Sequence, residues 1–275
     1  MPTGTWLVHG VTTDNTSRQT REGLVPTNRI ALVTGANQGM GNQVAKELVA
    51  DGVTVFVGSR DLARGRTAAA EIGAGAIPLQ LDVTDADSIA SATERVREEF
   101  GRLDLLVNNA GISTARSDVH DLAELRAASK ASTVSLDEVR GVWEVNVFGA
   151  LAMYQAMLPL LRRSSGARIV NVTSALGSLT TTADPAFAYR SAFEPVYAAS
   201  KTALNAVTLS MMIELEGSSV KVNLVSPGFA NTALVNFEGT ESIEAASREV
   251  VRVARLGPDE PSGTFTTWEG VDLPW

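Results

Sequence analysis

The sequence predicts a doubly wound α/β domain, a parallel sheet with helices on both faces, organised around residues 29–41. Three observations lead there. Ile30, Ala31, Leu32 and Val33 form a continuous apolar run, the mark of a central parallel strand covered on both faces. Gly35, Gly39 and Gly41 follow at once, and residues 42–50 then read as an amphipathic helix. From there strand-like and helix-like stretches alternate to near the end of the chain, the pattern of a parallel sheet with crossover helices.

Taken in order, residues 1–28 come first. Thr, Asn, Ser, Arg and Gly dominate 11–28 without apolar periodicity, and 1–28 reads as a flexible arm carrying an apolar Trp6-Leu7-Val8. Strands are expected at 53–58, 76–82 and 103–108, and helices at 63–72 and from Asp85 or Asp87, as cap, to Phe100. Residues 136–163 have helical spacing, with Pro159 expected to kink or end the helix. A strand at 168–173, a long helix at 196–216 and a strand at 220–226 follow, and 263–267 could add a seventh strand. No repeat or interdomain linker interrupts residues 29–275, so one catalytic domain is expected.

Composition bounds the function. The chain has 275 residues, enough for one large α/β domain, with 44% hydrophobic and 20% charged residues. A net charge of −8 argues against a nucleic-acid surface. No apolar run approaches the ~20 residues that span a bilayer, and no leader pattern is read, so no membrane partner and a cytoplasmic location are expected. There is no cysteine, and two histidines, His9 and His120, do not make a His-rich metal site.

The strand, glycine turn and helix start together suit an anion. Glycines admit a pyrophosphate to the backbone, and the unpaired N–H groups of a helix start face its charge. Gly35, Asn37, Gln38, Gly39, Met40 and Gly41 are the candidate cradle, although G-x-x-x-G-x-G alone also fits an ordinary glycine-rich turn. At the end of the second strand an acidic residue would serve a bare ribose, whereas here Ser59, Arg60 and Arg64 suit a 2′-phosphate, hence NADP; both arginines would also pass as solvated surface charges. Asp82 and Val83 close the third strand, where the Asp could bond an adenine amino group. Asn108, Asn109, Ala110 and Gly111 close the fourth. Buried amides there need partners, and the small Ala-Gly pair leaves room for a flat ring or simply makes a turn.

Tyr197-Ala198-Ala199-Ser200-Lys201 is the sharpest signal. Spacing i, i+4 puts phenol and ammonium on one helix face, and the chain has only three tyrosines. At ~4 Å and an effective dielectric near 20 the attraction is about 4 kcal/mol, roughly three pKa units before desolvation subtracts from it. Such a phenol can exchange a proton near neutral pH. Ser174, ending the fifth strand, is placed to orient a carbonyl or hydroxyl beside it.

With these residues together, the chain resembles the short-chain dehydrogenase/reductase family, in its compact single-domain branch, from about residue 29 to 275. The family's nucleotide motif matches 34–41 and its N-N-A-G motif matches 108–111. The resemblance implies a Rossmann fold and places the catalytic Asn, Ser, Tyr and Lys on Asn146, Ser174, Tyr197 and Lys201. It also brings Pro227 and Gly228 to the nicotinamide pocket, with Thr232 bonding the carboxamide. Ser59-Arg60-Asp61 with Arg64 is most similar to the NADPH-dependent carbonyl reductases. Three departures stand beside it: Gln38 where NADP enzymes of the family often carry a base, a longer interval from Ser174 to Tyr197 through residues 180–195, and a long stretch at 112–135 with a helical-looking piece at 121–131.

The implied reaction is hydride transfer between NADP(H) and a small-molecule carbonyl or alcohol, most readily reduction of a ketone or aldehyde. Tyr197 would donate the proton, Lys201 lower its pKa and hold the ribose, Ser174 bond the substrate oxygen, and Asn146 support a water relay. Phe187, Tyr189, Phe193 and Phe229 would serve as pocket walls or as loop packing. An NAD-dependent alcohol dehydrogenase of the same family and a non-catalytic NADP-sensing regulator are the alternatives. Many relatives pair their long helices, so a homo-oligomer is the weaker expectation on assembly.

Overall fold

Seven parallel strands form one sheet in the order β3-β2-β1-β4-β5-β6-β7. They are β1 (Ile30–Val33), β2 (Thr54–Ser59), β3 (Ala76–Gln80), β4 (Leu105–Asn108), β5 (Arg168–Val172), β6 (Lys221–Val225) and β7 (Phe265–Thr266). The structure, a computed structural model, describes residues 29–116, 124 and 127–275. The arm expected at 1–28 lies outside the described residues, as does much of the helical piece expected at 121–131, of which Glu124, Ala127 and Ala128 are helical.

Alternation along the strands divides the core. Ile30 and Leu32 of β1, with Phe56, Leu106 and Ile169, face one side; Ala31 and Val33, with Val55, Val107 and Val170, face the other. On the first side pack α3 (Ala86–Phe100), α5 (Ala150–Leu161) and α7 (Ala198–Glu214); on the second pack α1 (Gly39–Ala50), α2 (Leu62–Ile72) and α8 (Ile243–Arg255). Every residue of β1, β4 and β5 is buried, which is why β1 reads as an apolar run without alternation, while Asn108, Arg168 and Asn171 enter the interior with hydrogen-bond partners. Asp61 caps α2 and Asp85 caps α3, each accepting two backbone N–H groups, so Asp85 rather than Asp87 is the cap.

The expected helix at 136–163 is three pieces: α4 (Leu136–Trp143), a π turn (Glu144–Gly149) and α5. Pro159 sits inside the last turns of α5 and does not end it. The π turn is the interruption instead, and it carries Asn146. Gly149 lets α5 approach the end of β3, since a Cβ there would lie 2.8 Å from Val83 Cγ2. The span Leu136–Leu161 is also long and apolar enough, by length and composition, to cross a membrane, contrary to the expectation from continuous runs. Met153, Tyr154, Met157, Leu160 and Leu161 bury it against the sheet, so it serves as a core helix. Helix α8 fills a stretch to which the sequence reading assigned no element. Its Ser242 cap and its buried Ala246, Val250, Val253 and Ala254 explain why it forms.

At the amino-terminal edge, Arg168 is buried, and its guanidinium donates to Asn223 Oδ1, Pro261 O (3.0 Å) and Gly257 O (2.9 Å), fastening the loop before β7 to the sheet. Removing it strands these acceptors in the interior. Arg168→Met should lower unfolding stability by about 3 kcal/mol, measured by chemical denaturation, with cofactor affinity of the folded fraction unchanged because the arginine lies at the other end of its strand.

Candidate active site

The carboxyl ends of the strands make a crevice where the chain reverses direction in the sheet, between β1 and β4. There, a cavity of about 480 Å³ is lined by Gly35, Asn37, Gln38, Gly39, Met40, Gly41, Ser59, Arg60, Arg64, Asp82, Val83, Asn109, Ala110, Gly111 and Thr232. The structure thus gathers these residues, expected from five separate stretches, on one surface. Asn146, Ser174, Tyr197 and Lys201 stand outside that lining, and so do Pro227 and Gly228. The part of these last two is a turn that sends the chain to Thr232: Gly228 N donates to Ala246 O, and a Cβ on Gly228 would lie 3.0 Å from Ala246 Cα.

The glycine turn is shaped for close approach. Gly35 and Gly39 have φ of +65° and +59°, and a Cβ on Gly41 would meet Asn109 Nδ2 at 2.4 Å and Gly35 O at 2.7 Å. Helix α1 starts inside the motif, at Gly39, and no side chain caps it. Its first N–H groups are therefore available to an anion, and the residues present fit a dinucleotide pyrophosphate. Thr34 fastens this turn to β4, a role with no sequence signal of its own: its hydroxyl accepts from Asn109 N (3.0 Å) and Ala110 N (2.9 Å). Asn109 Nδ2 donates to Thr34 O (2.9 Å) and Gly35 O, so this amide braces the cradle from beneath. Asn108 turns the other way, donating to Asn171 Oδ1 at 2.8 Å within the sheet.

At the far end, Arg60 is exposed and makes no ion pair among the described residues, while Arg64 Nε lies 3.7 Å from Asp61 Oδ2. Ser59 is buried, and its hydroxyl donates to Asp61 O at 2.7 Å. One Asp82 carboxyl oxygen, Oδ1, accepts from Thr84 N and Oγ1. A roof that the sequence did not signal closes the cavity, where Ser113 Oγ donates to Leu234 O at 2.6 Å.

The expected catalytic groups meet at Gly111, where a Cβ would lie 3.3 Å from Asn146 Oδ1 and 3.5 Å from Lys201 Nζ. Lys201 is buried; its Nζ donates to Val172 O at 2.9 Å and stands 5.6 Å from the centroid of the Tyr197 ring. Ser174 lies beside the phenol and favours its anion. Asn146 Nδ2 donates to Ile112 O (2.9 Å) and to Ser200 Oγ (3.0 Å), and its Oδ1 accepts from Ile112 N. Both Asn146 N–H groups are committed, so its side chain clamps the β4 loop to α7. Residues 180–195 run from a short helix α6 (Leu179–Ala183) to Pro195, whose carbonyl accepts from Trp143 Nε1 at 3.1 Å. Phe187 and Tyr189 pack edge-to-face on each other there.

Electrostatics at the pair are set first by burial. Burial pushes the phenol up to about 12, Ser174 pulls it back, and the Glu194 carboxylate adds to the rise. Burial also brings the Lys201 ammonium down to about 8. At neutral pH the pair is a neutral phenol beside an ammonium.

Because the folded pKa of Lys201 lies below its unfolded value, the fold carries a penalty at low pH that fades as pH rises from about 8 toward 10.5. Lys201→Met should accordingly gain on the order of 2 kcal/mol of unfolding stability at neutral pH. Denaturation curves across that window should show the gap to the unmodified protein closing as pH rises.

Known proteins carry the same pattern. The family model "short chain dehydrogenase" matches residues 29–242. The short-chain dehydrogenase anuI of Penicillium roqueforti is 34% identical over 261 residues, covering 90% of this chain and 98% of its own. (+)-Neomenthol dehydrogenase of Arabidopsis thaliana is 32% identical over 288 residues, covering 87% and 96%. The crystal structure of NADPH-bound carbonyl reductase from chicken fatty liver superposes with a TM-score of 0.73 at 25% identity, over 90% of this chain and 99% of that one. With its glycine turn after β1, Lys201 behind Gly111 and Tyr197 between Lys201 and Ser174, this chain belongs to the short-chain dehydrogenase/reductase family of oxidoreductases.

Proposed function

We propose that the protein reduces a ketone on an apolar carbon skeleton to the alcohol, with NADPH as cofactor. The observation that carries this reading is the Tyr197 phenol beside the buried Lys201 ammonium, which stands behind Gly111 of a cavity that also presents the exposed Arg60 guanidinium. Two relatives lend support, one named for a monoterpenoid alcohol and one seen with NADPH.

NADPH supplies the hydride when bound. The glycine turn and the open start of α1 would hold its pyrophosphate, Asp82 its adenine, and Arg60 with Arg64 its 2′-phosphate. Ser174 orients the substrate oxygen. Tyr197, neutral at working pH, gives its proton to that oxygen as negative charge develops there. Lys201, an ammonium at neutral pH, favours the phenolate left behind and would hold the ribose hydroxyls of the cofactor.

Purified protein mixed with aldehydes and cyclic and acyclic ketones, and followed at the nicotinamide absorbance, tests the reading. NADPH should give the larger kcat/KM. One charge-assisted hydrogen bond to a phosphate, worth about 1.5–3 kcal/mol, corresponds to a preference of roughly 10- to 150-fold. Arg60→Ala should remove most of that preference and leave NADH kinetics unchanged. Equal or better use of NADH by the unmodified protein would make Arg60 a plain surface charge and overturn the cofactor assignment.

A further inference from the structure

Helix α7 starts at Ala198, and Tyr197 occupies its cap position without capping it, because the phenol points to Ser174 and not back to the helix. The N–H groups at the helix start therefore need another acceptor. Glu194 provides it. One carboxylate oxygen accepts from Tyr197 N (2.8 Å) and Ala198 N (3.0 Å), and the other accepts from Val196 N. The Glu194 main-chain carbonyl takes a fourth donor, Ala199 N at 3.0 Å. A single residue thus ties down the backbone on both sides of Tyr197, just where the loop 180–195 enters the helix.

We propose that Glu194 is a positioning residue for Tyr197: its carboxylate, bonded to the backbone N–H groups on both sides of the tyrosine, holds the phenol in place as the proton donor. This rests on reading Tyr197 as the proton donor. Among the described residues, the groups that face the phenol are few. Lys201 comes from the same helix, Ser174 from the turn after β5, and Glu194 from the loop before; Asn146 and Ser200 carry no charge. Ser174 favours the phenolate and burial opposes it, and the Glu194 charge acts in the same direction as burial. A reductase needs that direction, because reduction consumes the protonated phenol. The sign follows: as pH rises through the phenol pKa, reduction is lost, so removing the Glu194 charge moves that loss to lower pH.

The test compares the unmodified protein with Glu194→Gln, which keeps an acceptor oxygen without the charge, and Glu194→Asp, which keeps the charge on a shorter arm. The upper step of the alkaline limb of kcat/KM for ketone reduction, above the Lys201 step near pH 8, follows the phenol and should move down by about one unit in Glu194→Gln, a tenfold change in proton concentration, and stay in place in Glu194→Asp. Carbon-13 NMR of the three tyrosine rings, with Tyr197 assigned through Tyr197→Phe, reads the same group without turnover. At about pH 11 roughly a tenth of the phenol should be ionised in the unmodified protein and about half in Glu194→Gln. Should Glu194→Gln fail to fold, Glu194→Thr, which caps through a hydroxyl, carries the same expectation. An unmoved limb and titration in the uncharged variant, with only a lower melting temperature, would overturn the proposal, and so would an equal shift in Glu194→Asp. Absence of any carbonyl reduction by the unmodified protein would sink the functional reading instead, and the NMR titration would still decide the role of Glu194.

Discussion

The site depends on an ammonium held out of water. Lys201 lies within the protein at the carboxyl end of β5, with one carbonyl, Val172 O, as its hydrogen-bond partner among the described residues. A charge so placed costs the fold free energy, and it stays only because its surroundings leave it nowhere else to go. Leu204 and Met211 anchor α7 in the core below it, and Asn146 reaches across to Ser200, one position before the lysine. The same packing holds the Tyr197 phenol against Ser174. Catalytic groups on a rigid helix at the edge of a rigid sheet are pre-organised before any ligand arrives.

Burial also weighs against charge at this pair. A Coulomb argument at fixed distance treats the lysine charge as permanent and so expects an acidic tyrosine. Desolvation acts on both groups, and in opposite directions, raising the phenol and lowering the ammonium. At neutral pH the result is a protonated acid beside a cation, an arrangement suited to giving a proton to a developing alkoxide. Asn146 reaches the site through the π turn, which rotates its side chain under Gly111 where a regular helix would turn it elsewhere.

Much of this was legible in the chain. The run Ile30–Val33, the glycines behind it and the i, i+4 pair of Tyr197 and Lys201 are local patterns, and each has a local physical cause. Thr34 and Asn109 fasten the glycine turn to a strand more than seventy residues away, a pairing that only the sheet register creates. Ser113 and Leu234 meet across the cavity with no pattern in either segment. The π turn has no sequence signature, since Glu144–Gly149 keeps ordinary helical spacing and Pro159 draws attention to the wrong place. Helix α8 is the reverse case: Ser242, Glu244 and the buried valines mark it clearly, but it bears no motif and lies between two that do.

The account rests on one group, the Tyr197 phenol, giving its proton to the substrate oxygen while the cofactor sits in a cradle built from other residues. Tyr197→Phe keeps the ring and removes only the acid. Its kcat for ketone reduction should fall by about 10²-fold or more, with NADPH affinity measured by titration nearly unchanged. A Phe variant that retained more than about a tenth of the original rate, below the range for a lost general acid, would show that the proton comes from elsewhere.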